Sequence, residues 1–248
     1  MVVRMSAKDI KVKPIPKPAA DKIVKKIHYS GKVTQNSQLN FGVFYKGILM
    51  GAMQFGPPTD KSKILPLVKN TEWNGMMELN RLAFSDALPR FSESRALSLA
   101  FKWIKKNAPH IEWIISFADG TQCGHGTIYQ ASNFKLSQIK KNSRLIELPN
   151  GEKVHRLSMD ASNTTKYSYD MRAKGYSSLR KYLDGEHKGW KTLDGYMYRY
   201  IYFISKNAEK RYTGEYLPFS KIKELNAQMI RGEWVKKNKN ESKTAQIA

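Results

Sequence analysis

The sequence is poor in cysteine and in long apolar runs. Its single cysteine, Cys123, excludes an intramolecular disulfide and a zinc site built from several cysteines. No apolar run approaches the roughly 20 residues that cross a membrane, and the basic N-terminus lacks the apolar segment of a secretory signal. We therefore expect a protein of the reducing cytoplasm that makes no use of a membrane.

Acidic side chains are also scarce. Aspartate and glutamate number 21 against 43 lysines and arginines, which gives a net charge of +22. Membrane anchors concentrate their cations on one face of a helix, whereas here the cations are spread along the whole chain. This distribution favours nucleic acid as the partner, with a merely soluble basic surface as the alternative.

The chain of 248 residues can bury one good core. Residues 1–22 combine lysines with the alternating Pro14, Pro16 and Pro18, a pattern that disfavours a helix and predicts a flexible, extended arm. We expect a single domain over residues 23–234, with a basic, tyrosine-rich insertion at about 136–192, and a charged, flexible tail at 235–248.

Hydrophobic patterning predicts alternating strands and helices within that domain. The third predicted strand, residues 76–84, places Glu78, Asn80 and Leu82 on one face and Met77 and Leu79 on the other. The remaining predicted elements are a hairpin at 39–55, an amphipathic helix from Ser92 or Ser94 to Asn107, a buried strand at 111–117, a short helix at 128–133 and a late strand at 196–204.

Polar residues stand where α/β proteins hold ligands. Asp119 follows the buried strand, which suits a general base or a group that orients an amine, although an aspartate before Gly120 is also common in turns. Ser92, Ser94 and Arg95 open the long helix, where backbone amides and the helix dipole favour a phosphate.

This order of elements resembles the GNAT acyltransferase fold, an α/β fold with a mixed central sheet and helices on both faces. In that fold, the loop before the central helix binds the pyrophosphate of acyl-CoA, and a tyrosine on the short helix protonates the leaving thiolate. Tyr129, followed by Asn133 and Phe134, matches the tyrosine feature, with a packed helix tyrosine as the alternative. One departure is that Glu93 and Arg95 stand where GNAT loops carry small residues.

A narrower resemblance, over roughly residues 27–135, is to the bacteriophage Mom family of DNA-modification proteins. The motifs that carry it are His28-Tyr29-Ser30, Glu-Leu-Asn-Arg-Leu at 78–82, Pro-Arg-Phe-Ser-Glu-Ser-Arg at 89–95, Ser-Phe-Ala-Asp at 116–119 and Gly-His-Gly-Thr-Ile-Tyr-Gln-Ala-Ser-Asn-Phe at 124–134. Proteins of this family convert adenine in phage DNA to its N-carbamoylmethyl derivative, which blocks host restriction. The resemblance implies a transferase that acts on double-stranded DNA in the cytoplasm of the host cell.

The resemblance also implies roles for individual residues. Asp119, Tyr129, Tyr29 and His28 are the expected catalytic residues, and Arg81, Ser92, Ser94 and Arg95 are expected to bind acetyl-CoA or a related acyl-CoA. Because His28 and Tyr29 are adjacent, a strand would point only one of them into the site. The position of His125 beside these residues raises a metal as an alternative, with His28, Asp119 and His125 as candidate ligands for iron.

Two other functions stay open from the sequence. The first is an ordinary acyl-CoA N-acyltransferase that acts on RNA or another target. The second is a basic DNA-binding protein without enzymatic activity, which would not need Tyr129 or Asp119.

Overall fold

The computed structural model, which describes residues 6–160, 165–230 and 233–234, is organised around a mixed eight-stranded sheet. The strands are β1 Lys11–Pro14, β2 Leu39–Tyr45, β3 Ile48–Gly56, β4 Met76–Phe84, β5 Trp113–Asp119, β6 Lys135–Glu147, β7 Lys153–His155 and β8 Lys191–Phe203, with a separate pair β9 Met229–Ile230 and β10 Glu233–Trp234. The helices are α1 Lys17–Ile27, α2 Lys61–Ile64, α3 Ser92–Asn107, α4 Thr127–Ala131, α5 Arg156–Asp160, α6 Lys166–Ala173, α7 Leu179–Glu186, α8 Lys206–Lys210 and α9 Ser220–Glu224.

Both faces of the sheet are covered by helices. On one face, α3 buries Ala96, Leu97, Ala100 and Ile104 against apolar residues of the central strands. On the other face, α1 packs on β3 and β4, and α8 packs on β5 and β8. The hairpin, the third strand and the long helix stand where the sequence predicts them, and the α/β fold class with a mixed central sheet and helices on both faces is confirmed.

The N-terminal segment differs from the expected free arm. Lys11–Pro14 pairs antiparallel with β2, and α1 buries Ala20 and Val24 completely. The prolines do not prevent this, because Pro14 ends an edge strand and Pro16 and Pro18 precede or open the helix, where a missing N–H costs nothing. Residues 1–5 lie outside the described part of the chain.

The sheet divides in its middle. Strands β4 and β5 are parallel and pair only from Met76↔Trp113 to Glu78↔Ile115, although both are described over their full lengths. On its other side, β5 pairs with β8 from Trp113↔Phe203 to Asp119↔Met197. A fork therefore opens between β4 and β5 beyond Glu78, and the later residues of both strands face a gap.

The two ends of the predicted tyrosine-rich insertion at about 136–192 are strands of the main sheet. Strand β6 pairs with β8, so residues 135–147 and 191–203 belong to the main sheet. The intervening described residues, 148–160 and 165–190, form what we call the lobe, namely β7 and helices α5, α6 and α7. The lobe has its own hydrophobic cluster, which includes Val154, Met159, Tyr182 and Leu183.

Two further predictions from the sequence concern membrane-spanning helices and the C-terminal tail. Among the described residues, we find no helix with the length and apolar character needed to cross a membrane. The predicted tail at 235–248 lies outside the described residues.

Candidate active site

Two adjacent cavities lie at the fork between β4 and β5. The first, which we call the polar cavity, has a volume of about 300 Å³ and is lined by Glu78, Arg81, Asp119 and His155 among others. The second, the inner cavity, has a volume of about 350 Å³ and is lined by Leu82, Ala118, Cys123, His125 and Tyr129 among others. His28, Tyr29, Asn80 and Phe117 line both cavities, so the two volumes meet at these four residues.

Tyr129 lies on α4 at the wall of the inner cavity. Its hydroxyl is 2.9 Å from that of Ser116, and the Ser116 hydroxyl is 3.0 Å from the carbonyl oxygen of Leu79. A hydroxyl has one proton, so when Ser116 donates to Leu79, Tyr129 donates to Ser116. Burial raises the pKa of the Tyr129 phenol well above its usual range. The phenol is therefore a neutral proton donor that faces the cavity.

Asp119 ends β5 and is 7% exposed. One carboxylate oxygen accepts from the backbone N–H of Thr121 at 3.0 Å, from the Thr121 hydroxyl at 2.5 Å and from the Asn142 amide at 3.4 Å. Among the described residues, the other oxygen accepts only from Gln122, at 3.1 Å. The first oxygen thus stabilises the turn, which is the structural role that the sequence offered as an alternative for Asp119. The second oxygen can accept a further hydrogen bond from a ligand in the polar cavity.

His28 and Tyr29 follow α1, and both line both cavities. The expectation that only one of them points into the site is wrong, because they stand in the turn after a helix and not on a strand. The His28 Nδ1 atom accepts from the backbone N–H of Ser30 at 3.2 Å. Burial, together with the positive charge of Arg81, lowers the pKa of His28 to about 4. The imidazole is therefore neutral at physiological pH.

Glu78 also lines the polar cavity and can act as an acid or a base, although the sequence motifs did not identify it as a site residue. Burial raises its pKa to about 7, against a hydrogen bond with Asn80 and the charge of Arg81, which lower it. A carboxyl group with a pKa near neutrality exchanges protons readily at physiological pH. The strand pattern already placed Glu78, Asn80 and Leu82 on one face, and all three line the two cavities.

The four expected acyl-CoA residues do not come together. Ser94 and Arg95 line a third cavity of about 410 Å³ at the start of α3, with Phe91, Asn133 and Tyr202. Ser92 is buried beside it, and its hydroxyl donates to the Pro89 carbonyl oxygen at 2.6 Å. Arg81 instead lies in the polar cavity, where its Nε donates to the Lys32 carbonyl oxygen at 2.8 Å.

The residues at the start of α3 fit the pyrophosphate of an acyl-CoA. The helix is 16 residues long, and the cavity at its N-terminal end includes the exposed Arg95. The helix dipole and a guanidinium favour an anion there, although Glu93 in the first turn opposes it.

The candidate metal ligands are not assembled. Within the described residues, no three His, Cys, Asp or Glu side chains are grouped so as to hold a metal ion. His125 lines the inner cavity, with its Nδ1 atom 3.2 Å from the Met229 carbonyl oxygen, whereas Asp119 lines the polar cavity. The expected set of His28, Asp119 and His125 is therefore wrong as a ligand cluster.

Comparison with known proteins identifies related chains. Residues 9–221 match the model of the Mom protein family. The "Methylcarbamoylase mom" of Escherichia phage Mu is 36% identical over 211 residues, which are 85% of this chain and 82% of the phage Mu protein.

Solved structures similar to this chain include acetyltransferases. A GNAT family acetyltransferase from Elizabethkingia anophelis with acetyl-CoA bound is 12% identical, with a TM-score of 0.39 over 79% of this chain and 98% of that one. The ribosomal-protein-S18-alanine N-acetyltransferase from Escherichia coli is 13% identical, with a TM-score of 0.43 over 85% of this chain and 99% of that one.

Proposed function

We propose, from the premise that this chain belongs to the Mom protein family, that it attaches a carbamoylmethyl-type group to the exocyclic amine of adenine in double-stranded DNA. The observation that carries the proposal is a polar cavity beside an inner cavity, both lined by His28 and Tyr29, in a chain 36% identical to a protein named methylcarbamoylase. In a phage, such a modification would protect the DNA from restriction in the cytoplasm of the host.

The two cavities suit two different reactants. The polar cavity offers charged and hydrogen-bonding side chains, which suit a nucleobase, and the inner cavity offers Leu82, Ala118 and Tyr129, which suit an acyl-thioester arm. The exocyclic amine of adenine is paired and stacked in a duplex. The base must therefore leave the duplex to enter the polar cavity, at a cost of a few kcal/mol.

The side chains supply the proton transfers. The Glu78 carboxylate accepts a proton from the adenine amine as that nitrogen forms its new bond, and the oxygen of Asp119 that is held only by Gln122 orients the amine. When bound, an acyl-CoA would supply an activated acyl carbon and a thiolate leaving group. Attack of the adenine amine on that carbon alone would give an N-acyl base, so a carbamoylmethyl product requires a co-substrate that supplies the methylene carbon and the amide nitrogen. Tyr129 lines the inner cavity. When the Ser116 hydroxyl donates to Tyr129 in place of the Leu79 carbonyl, the phenol proton is free to be given to that sulfur.

Neutral His28 and Tyr29 complete the proposed site. They stand at the junction of the two cavities, so they contact both reactants and hold the base against the acyl arm. His28 takes this role as a neutral imidazole, because its pKa of about 4 excludes a second positive charge beside Arg81 at neutral pH. Ser94 and Arg95 bind the pyrophosphate, and buried Ser92 shapes the turn that presents them.

The test of this function is mass spectrometry of nucleosides from plasmid DNA after co-expression with the protein. We expect a deoxyadenosine that is heavier by the mass of a carbamoylmethyl group. Tyr129→Phe, which removes only the phenolic hydroxyl, should lower the yield of this nucleoside about 100-fold, the usual size of an acid–base contribution. An N-acetylated base, or modified RNA with unmodified DNA, would instead indicate an ordinary acyltransferase, and an absence of any new nucleoside would indicate a binding protein.

Acyl-CoA binding is tested separately by calorimetry with acetyl-CoA. Arg95→Ala should weaken binding, because it removes the guanidinium at the start of α3, whereas Lys102→Ala, exposed farther along the same helix, should not. A wild-type protein that gives neither heat nor a thermal shift with acetyl-CoA would contradict this assignment.

A further inference from the structure

Two lysines stand on different walls of the polar cavity. Lys32 belongs to the loop after α1, and Lys153 belongs to β7 of the lobe. Both are exposed, and in the described part of the chain neither lies within ion-pair distance of a carboxylate. Other lobe cations do hold carboxylates, as Lys166 holds Glu152 at 3.2 Å and Arg180 holds Asp184 at 2.9 Å. Neither ammonium group at the cavity is thus held by a carboxylate, although the charge of Lys32 contributes to lowering the pKa of Glu152.

The backbone of Lys153 is fixed by the sheet. Strand β7 pairs with β6 from Leu145↔His155 to Glu147↔Lys153. Val154, between them, is 1% exposed and belongs to the hydrophobic cluster of the lobe. Since neighbouring side chains of a strand point to opposite faces, burial of Val154 turns Lys153 and His155 toward the polar cavity. The lobe therefore builds one wall of this cavity.

The backbone of Lys32 is fixed by Arg81. The Arg81 Nε donates to the Lys32 carbonyl oxygen at 2.8 Å, and another guanidinium nitrogen donates to the Asn80 carbonyl oxygen at 2.7 Å. Arg81 thus ties the loop to β4. This bracing reduces the conformational entropy that the loop would lose on binding a ligand.

We propose that Lys32 and Lys153 form a phosphate clamp, which binds the DNA backbone on the two sides of the nucleotide whose base occupies the polar cavity. This inference rests on the proposed function and adds to it the residues that grip the extruded nucleotide. A nucleotide within a strand carries one phosphate on each side of its sugar, so two cations from separate walls match it. Contacts of this kind fix position and contribute affinity without reading sequence.

The clamp is tested by fluorescence anisotropy with a labelled DNA duplex over a series of salt concentrations. Lys32→Ala and Lys153→Ala should each weaken binding about 3- to 10-fold near 0.1 M salt, and each should reduce the slope of log K against log salt by about 0.9, the value for one lost phosphate contact. The double variant should lose about twice that slope. Lys153→Arg should keep the wild-type slope, because it keeps the charge.

Matched controls are Lys26→Ala on α1 and Lys181→Ala on α7, since both are exposed lysines near the same elements that do not line the cavity. They should bind within about twofold of the wild type. Wild-type affinity and slope in the double variant, with wild-type modification of plasmid DNA, would overturn the clamp and leave the proposed function standing. If the wild-type protein bound no DNA at all, the proposed function itself would fail.

Discussion

At the scale of single residues, burial sets the protonation states around the polar cavity. Glu78 has a pKa raised to about 7 and His28 a pKa lowered to about 4, so the first titrates near neutrality while the second stays uncharged. The cavity therefore combines a proton acceptor with a neutral imidazole. This division of roles follows from desolvation, which disfavours the charged form of both groups.

The rate of modification should depend on the ionisation of Glu78. Only the carboxylate can accept a proton, so the rate should rise between about pH 6 and pH 8 and then level off. Glu78→Gln should lower the rate about 100-fold and remove this rise, as measured by nucleoside mass spectrometry at each pH. Glu72→Gln, at an exposed position, is the control. A glutamine variant that retained the same pH profile would contradict the role of Glu78.

The same pKa shift should appear in the stability of the free protein. The pKa in the folded state, about 7, exceeds the usual 4.5, so folding favours the protonated form and stability falls as the pH rises through this interval. Glu78→Gln should therefore melt above the wild type at pH 8, by at least the 2–4 °C that about 1 kcal/mol produces in a chain of this size, and close to it at pH 4. Equal melting temperatures at pH 8 would show that burial of this charge costs little.

Asp119 should prove structural as well as catalytic. Asp119→Ala removes a buried acceptor from Thr121 and Asn142, and unsatisfied donors cost about 1–3 kcal/mol. We expect a lower melting temperature together with loss of product. Thr121→Val, which removes only the hydroxyl contact, should lower the melting temperature less and keep product formation. If Asp119→Ala melted with the wild type, its part in the turn would be negligible.

At the scale of elements, the N-terminal segment should be needed for folding. Deletion of residues 1–22 removes β1, the buried Ile10 and Ala20, and the first part of α1, and it exposes the edge of β2. The truncated protein should melt at a lower temperature and aggregate, as measured by thermal unfolding and light scattering. Deletion of residues 1–5 alone is the control. A truncated chain with wild-type stability would mean that these contacts contribute little.

The hydrophobic pattern of the sequence correctly predicted two kinds of element. These are strands that pair with a neighbour close in sequence, and elements whose hydrophobic periodicity is unbroken. The hairpin of β2 and β3, strand β4 and helix α3 are of this kind. Strand β6 is not, because its pairing with β8 runs from Glu147↔Lys191 to Lys135↔Ile201, which are 44 and 66 residues apart. It also carries irregularities at Leu136/Gln138 and Asn142/Leu145 that break the alternation. The broken pattern therefore indicates an insertion from about residue 136, although residues 135–147 form a strand.

The candidate site was predictable only in part, for a similar reason. Motifs gave His28, Tyr29, Asp119 and Tyr129, and these residues do line the joined cavities. The resemblance to the GNAT fold implies that β4 splays from β5, but the sequence could not show that Glu78 lies at the base of the fork. Nor could it show that Arg81 faces the polar cavity, away from Ser94 and Arg95.

At the scale of the whole molecule, the net charge of +22 should give salt two opposite effects. Salt screens the repulsion among cations, so the melting temperature of the free protein should rise between about 0.05 and 0.3 M salt. DNA binding should weaken over the same range, since counterion release contributes less. Thermal unfolding and anisotropy, measured in the same buffers, would test both. A melting temperature that fell with salt would show that local ion pairs outweigh the overall repulsion.

The position of β8 has a consequence for the synthesis of the chain. In the sheet, β8 lies between β5 and β6, although it follows both in sequence. While the ribosome is still translating residues before Lys191, strands β1 to β5 and the pair of β6 with β7 exist as two unjoined halves, each with an open edge. Only when β8 has left the exit tunnel can it insert between them. Nascent chains that stall within the lobe therefore leave the edges of β5 and β6 unpaired at the same time. Such chains are the form of this protein most prone to aggregate through strand pairing.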